Sequence, residues 1–113
     1  MSQTQMEQYE APGGVISAAR ITARPEKRKE LLMTIDSLLE QIRNQDGCRT
    51  YRFYGEATTR DSFILVGEWE TRSDWERHRR SEHFSVLLGS LELLSAEKRP
   101  DFRLLSHVDL TGL

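Results

Sequence analysis

A chain of 113 residues with 37% apolar side chains is the size of one domain, able to bury roughly 65% of its unfolded surface around a single core and too short for separate cofactor and substrate domains. Its 16 Lys and Arg against 18 Asp and Glu leave a formal net charge of -2, which offers neither nucleic acid nor an anionic membrane a global attraction. The one cysteine, Cys48, excludes an intramolecular disulfide, argues against a cysteine-built zinc site and fits the reducing cytoplasm.

Residues 1–12 are expected to form a disordered tail, because Met1 to Glu10 lacks the charged start and apolar run of a secretory signal. The folded domain is expected over 13–108, with 109–113 as a short C-terminal tail. Val15 to Ala23, after Pro12-Gly13-Gly14, reads as a first strand. Pro25 suits a helix start, and Leu31, Leu32, Ile35, Leu38, Leu39 and Ile42 follow as one apolar stripe. Gly47 stands where a helix ends in a left-handed conformation.

Arg49 to Glu56, rich in Tyr, Phe and Thr, predicts a second strand. After a polar turn, Phe63 to Glu70 predicts a central third strand, apolar on both pleat faces in its first half. Thr71 with Asp74, or Ser73 with Glu76, can cap the next helix, which carries Trp75 and His78. Ser81 restarts or bends it, since Phe84, Leu87, Leu88 and Leu91 make a fresh stripe. Phe102, Leu104, Ser106 and Val108 alternate as a last strand.

The order βαββαβ predicts an α+β, ferredoxin-like fold: a four-stranded antiparallel sheet with helices on one face. Phe63, Leu65 and Trp69 fall on one side of the third strand and Ile64 and Val66 on the other, so the second face also needs a cover. A homodimer packed sheet to sheet is the expectation.

Three stretches go beyond fold pattern: Gly47-Cys48-Arg49-Thr50-Tyr51; Phe63 to Trp69, ending Glu68-Trp69; and Trp75-x-x-His78-x-x-Ser81-x-His83-Phe84. Together they resemble the antibiotic-biosynthesis monooxygenase (ABM) family over about residues 14 to 107. The resemblance implies a dimeric α+β barrel with one small pocket per subunit. It also implies oxidation of a small aromatic substrate (quinol, phenol or polyketide) by O2 without metal or cofactor, the protein deprotonating, orienting and desolvating it. The family's haem-degrading branch wants an Asn, a Trp and an iron-ligating His where Ala19, His78 and Leu88 fall here, so none of the three matches.

Among candidate site residues, His83 ranks first as general base, on the edge of the second helical stripe; its plainer alternative is a partly buried helix histidine bonded to backbone or water. His78 ranks second, because its neighbours Arg77, Arg79 and Arg80 suggest a solvated face. Trp69 and Tyr51 are expected to shape the pocket and donate hydrogen bonds to a substrate oxygen, with core packing as the alternative. Phe53 and Phe84 are expected to contact substrate. Arg20 and Glu68 read as ion-pair residues, Cys48 as a small hydrophobe and His107 as surface. A dimeric ligand-binding module without turnover, or a non-oxidative isomerase, would use the same pocket.

Overall fold

The structure is a computed structural model and describes residues 14–97 and 100–106. Strand β1 (Val15–Thr22) leads through a 3-10 turn (Pro25–Lys27) into helix α1 (Arg28–Arg43); strands β2 (Cys48–Gly55) and β3 (Ser62–Trp69) form a hairpin, helices α2 (Arg72–Arg79) and α3 (Glu82–Leu94) follow, and β4 (Phe102–Ser106) closes the sheet. Strand order is β2-β3-β1-β4 and every pairing is antiparallel. This is the ferredoxin-like architecture expected from the sequence.

The predicted stripe of α1 buries Leu31, Ile35, Leu38, Leu39 and Ile42 against the sheet. On the sheet's inner face they meet Ile21, Tyr51, Phe63, Leu65 and Trp69, joined by Trp75, Phe84, Leu87 and Leu91 of the later helices. The helix ends four residues before Gly47, which takes φ +81 in the connection that follows. A Cβ there would collide with the Asp74 carboxylate, so glycine serves both the left-handed turn and the close approach of α2.

The two later helices are separated as the capping residues predict. The Thr71 hydroxyl accepts the Asp74 N–H at 3.0 Å and donates to the Asp74 carboxylate at 2.8 Å, closing the N-terminus of α2. Ser81 accepts the Phe84 N–H at 3.2 Å to start α3, while its hydroxyl donates to the His78 carbonyl at 2.6 Å. One serine therefore ends one helix, begins the next, and fixes His78 relative to Phe84.

The alternation of β3 sends Phe63, Leu65 and Trp69 into the core and leaves Ile64 38% exposed on the outer face. Ile16, Tyr54 and Leu105 share that face and its exposure. Arg20, also on it, pairs with Glu56 of the same chain at 2.8 Å. Glu68, expected in an ion pair with an arginine, accepts a hydrogen bond from the Thr50 hydroxyl at 3.0 Å. His107 and Val108 lie outside the described residues.

Candidate functional site

Beneath the sheet, β2, β3, α2 and α3 bring four rings together. Tyr51 projects from β2 toward the helices, opposite Gly67 of β3 in the register. A Cβ on Gly67 would stand 2.6 Å from the Tyr51 ring, so the absence of a side chain there makes room for the phenol. Trp69, fully buried two residues on, lies edge-on to Tyr51 with ring centroids 6.0 Å apart.

His78 occupies the centre of this group and is only 2% exposed, which overturns the solvated face suggested by its arginine neighbours. Those arginines lie at other angles around α2, while His78 falls on the same inward face as Trp75. Its ring stacks on Trp69 at 4.5 Å and meets the edges of Tyr51 at 5.2 Å and Phe84 at 5.0 Å. Nδ1 lies 2.7 Å from Gln45 Oε1 and Nε2 lies 3.2 Å from the Tyr51 hydroxyl. With the Gln45 oxygen accepting, Nδ1 carries the proton and Nε2 accepts from Tyr51.

Burial, with a smaller contribution from the charge of His83, lowers the His78 pKa to about 4, so the imidazole is neutral at physiological pH. Burial, then the neighbouring Cys48, raises the Tyr51 pKa above its ordinary value and keeps the phenol a donor. Cys48 itself is pushed up to about 11 by burial, against the opposing field of Arg43; a thiol held neutral is a poor nucleophile. The Trp69 indole N–H is buried without an acceptor among the described residues.

Besides a cleft of about 600 Å³ that reaches Tyr51 between Leu39, Arg43 and Phe53, two clefts flank this cluster. A cavity of about 560 Å³ between α2, α3 and β4 has walls of Trp75, Phe84, Leu88, Pro100 and Phe102, with Arg79 and Glu92 also lining it. A second, of about 500 Å³, is polar at its edges and reaches His78 past Gln45, Asp74 and Ser81. Phe84 lines the first and His78 the second, so this contacting ring pair separates them.

His83, ranked first from the sequence, is half-buried in the first turn of α3 and lines neither cleft. Phe53 stacks on Phe63 at 4.8 Å, away from the histidine cluster. Tyr51, Trp69, His78 and Phe84 are the sequence candidates that the fold gathers. Gln45 and Gly67 join them without having been singled out; a glycine inside an otherwise apolar strand was the available signal for Gly67, whereas nothing local marks Gln45. Among the described residues, no group of three or more His, Cys, Asp or Glu is placed to hold a metal ion.

A ferredoxin-like sheet with helices on one face, a buried histidine between them and an aromatic cavity next to that histidine's Phe84 neighbour defines a small α+β domain with a pocket beside its core. The model of the antibiotic biosynthesis monooxygenase family matches residues 14–87, and the chain belongs to that family. Among curated proteins it is 28% identical over 83 residues to the Bacillus subtilis protein named putative monooxygenase YcnE, covering 73% of this chain and 87% of that one. It is 26% identical over 87 residues to an uncharacterized Synechocystis protein, covering 77% of this chain but only 54% of that relative's length. Among solved structures, Rv0793 from Mycobacterium tuberculosis superposes with a TM-score of 0.76 at 26% identity, covering 84% of this chain and 95% of that one. A conserved protein from Methanosarcina mazei reaches 0.80 at 21% identity, over 88% of this chain and 98% of that one, a likeness of fold.

Proposed function

We propose that the chain is a cofactor-independent monooxygenase of a small aromatic substrate, a quinol, phenol or polyketide-like ring, and that it works as a homodimer packed sheet to sheet. Family membership supports the reaction class, and the neutral His78 bonded to Tyr51, one ring removed from the aromatic cavity behind Phe84, is the observation that carries it. The base is then His78 rather than His83.

In this scheme the substrate enters the aromatic cavity against Phe84, and that ring turns in place just far enough for the substrate oxygen to reach the Tyr51 hydroxyl behind it. The Tyr51 hydroxyl passes its proton to His78 Nε2 as it takes one from the substrate, leaving a phenolate or enolate inside an apolar enclosure. That electron-rich ring reduces O2. For a quinol, one oxygen atom enters the ring and the other leaves as water, with the hydroxyquinone as product; all four electrons come from the substrate. Trp69 contributes its unpartnered indole N–H and the stacking surface that holds the imidazole.

Oxygen uptake by the metal-stripped protein with hydroquinones and anthrones tests the reading. His78→Ala should lower the rate about 10² to 10⁴-fold, while His83→Ala should stay within a few-fold of the parent. The reverse order would return the role to His83, and absence of uptake across the panel would count against the oxygenase. A second reading has its own support: both His78 ring nitrogens already have partners and the ring is almost wholly buried, as in a ligand-binding module without turnover. Binding of the same aromatics without oxygen uptake would favour it.

A further inference from the structure

The aromatic cavity has two charged side chains on its lining, Arg79 and Glu92. Neither makes a salt bridge or a side-chain hydrogen bond among the described residues, whereas Arg72 and Arg77 on the same helix are paired with Glu76 and Asp74. Arg79 is nonetheless held in place: its guanidinium carbon lies over the Trp75 ring at 5.0 Å from the centroid. A cation placed over a ring face makes no hydrogen bond to it, so the guanidinium N–H groups, the ones that match a carboxylate, stay available. Trp75 and Phe84 beside it are mostly buried, so a planar ring would find apolar walls within reach of that cation.

We propose that the cavity selects an aromatic monocarboxylate, its ring against Trp75 and Phe84 and its carboxylate paired with Arg79. Glu92, lining the same cavity, disfavours a second acidic group. The selection rests on the proposed function only in placing the substrate in this cavity; it names the substrate class and makes Arg79 a specificity residue.

Calorimetric titration of the intact protein under nitrogen with a naphthoate, its neutral amide and a naphthalene dicarboxylate tests this without turnover. The naphthoate should bind about tenfold more tightly than the amide at low salt, as a charge-assisted pair in a partly desolvated cleft allows, and more tightly than the dicarboxylate. Arg79→Gln should abolish the preference for naphthoate over amide while changing amide affinity less than about twofold, and Arg79→Lys should retain part of it. Equal binding of naphthoate and amide by the parent protein, a preference that survives Arg79→Gln, or no binding of either probe would each overturn the proposal. Failure of oxygen uptake would leave these affinities untouched, so the two readings fail separately.

Discussion

His78 shows how burial sets both a chemical role and a cost. A lone imidazole with an ordinary pKa of 6.5 is lowered to about 4 here, so in the proposed role of base it would stay unprotonated far into acid. The acid limb of the substrate rate should therefore fall near pH 4 rather than near 6.5, as a pH profile of oxygen uptake would report. The same shift links pH to stability. Because the unfolded chain binds this proton more readily than the folded one, the contribution is complete above pH 6.5 and drains away as pH falls toward 4, by an amount of order 3 kcal/mol. Glu97 acts in the same direction: although burial opposes it, the Thr22 N–H at 3.0 Å holds its carboxyl below the usual value. The informative quantity is thus the difference between parent and His78→Asn in urea unfolding, and the variant should lose less stability between pH 6.5 and 4. Equal slopes would assign the acid sensitivity to carboxylates alone.

Elements hold these residues in place through two short devices, one readable in the sequence and one not. Ser81 was legible as a restart, and it makes the two bonds that break the chain into α2 and α3; Ser81→Ala should cost about 1 kcal/mol in thermal or urea unfolding and loosen His78 against Phe84. The order of elements along the chain, Thr71 with Asp74 as one of two capping pairs for α2, and the parity that Trp69 shares with Phe63 and Leu65 were equally visible, since each depends on local spacing. The pairing of Tyr51 with His78 was not, because 27 residues separate them and only the β2–β3 register, together with the docking of α2, brings them within reach. Basic neighbours on α2 pointed His78 outward because charge content says nothing about angle around a helix, which Trp75 three residues earlier did encode. Gly67 is where this long-range arrangement is most exposed to test. Gly67→Ala places a methyl 2.6 Å from the Tyr51 ring, so it should displace the phenol, cost about 1 to 3 kcal/mol, and reduce activity toward the level of Tyr51→Phe. Activity at the parent level in Gly67→Ala would show that Tyr51 need not sit where it does.

At the scale of the whole molecule, the sheet has one face buried by helices and one face open in the single chain, and the open face sets large apolar side chains among the charges of Arg20, Arg52, Glu68 and Arg103. Ile16 lies opposite Leu105 across the β1–β4 pair, Ala18 opposite Val66 across β1–β3, and Ile64 between Arg20 and Tyr54. Leu105 and Tyr54 are about half exposed. Antiparallel sheets tolerate a wet face when it is polar, and the charges here, Arg20 with Glu56 and Glu68 with Thr50, include interactions already satisfied within the chain. Burying a large apolar side chain contributes about 1.5 to 3 kcal/mol, so several of them covered by a second copy would outweigh much of the entropy lost on association. A face paired with its own copy must be self-complementary about a two-fold axis, and apolar residues spread over all four strands can meet that requirement. Light scattering should accordingly give twice the mass of one chain at micromolar concentration. Ile64→Lys combined with Ile16→Glu should shift the mass toward that of one chain, because each places a charge where the partner's apolar face would have to desolvate it. The isolated double variant should retain the circular dichroism of the parent, since neither side chain enters the core beneath the helices. A parent protein of single-chain mass would contradict the covered sheet, and a double variant that stays dimeric would place the interface elsewhere on the molecule.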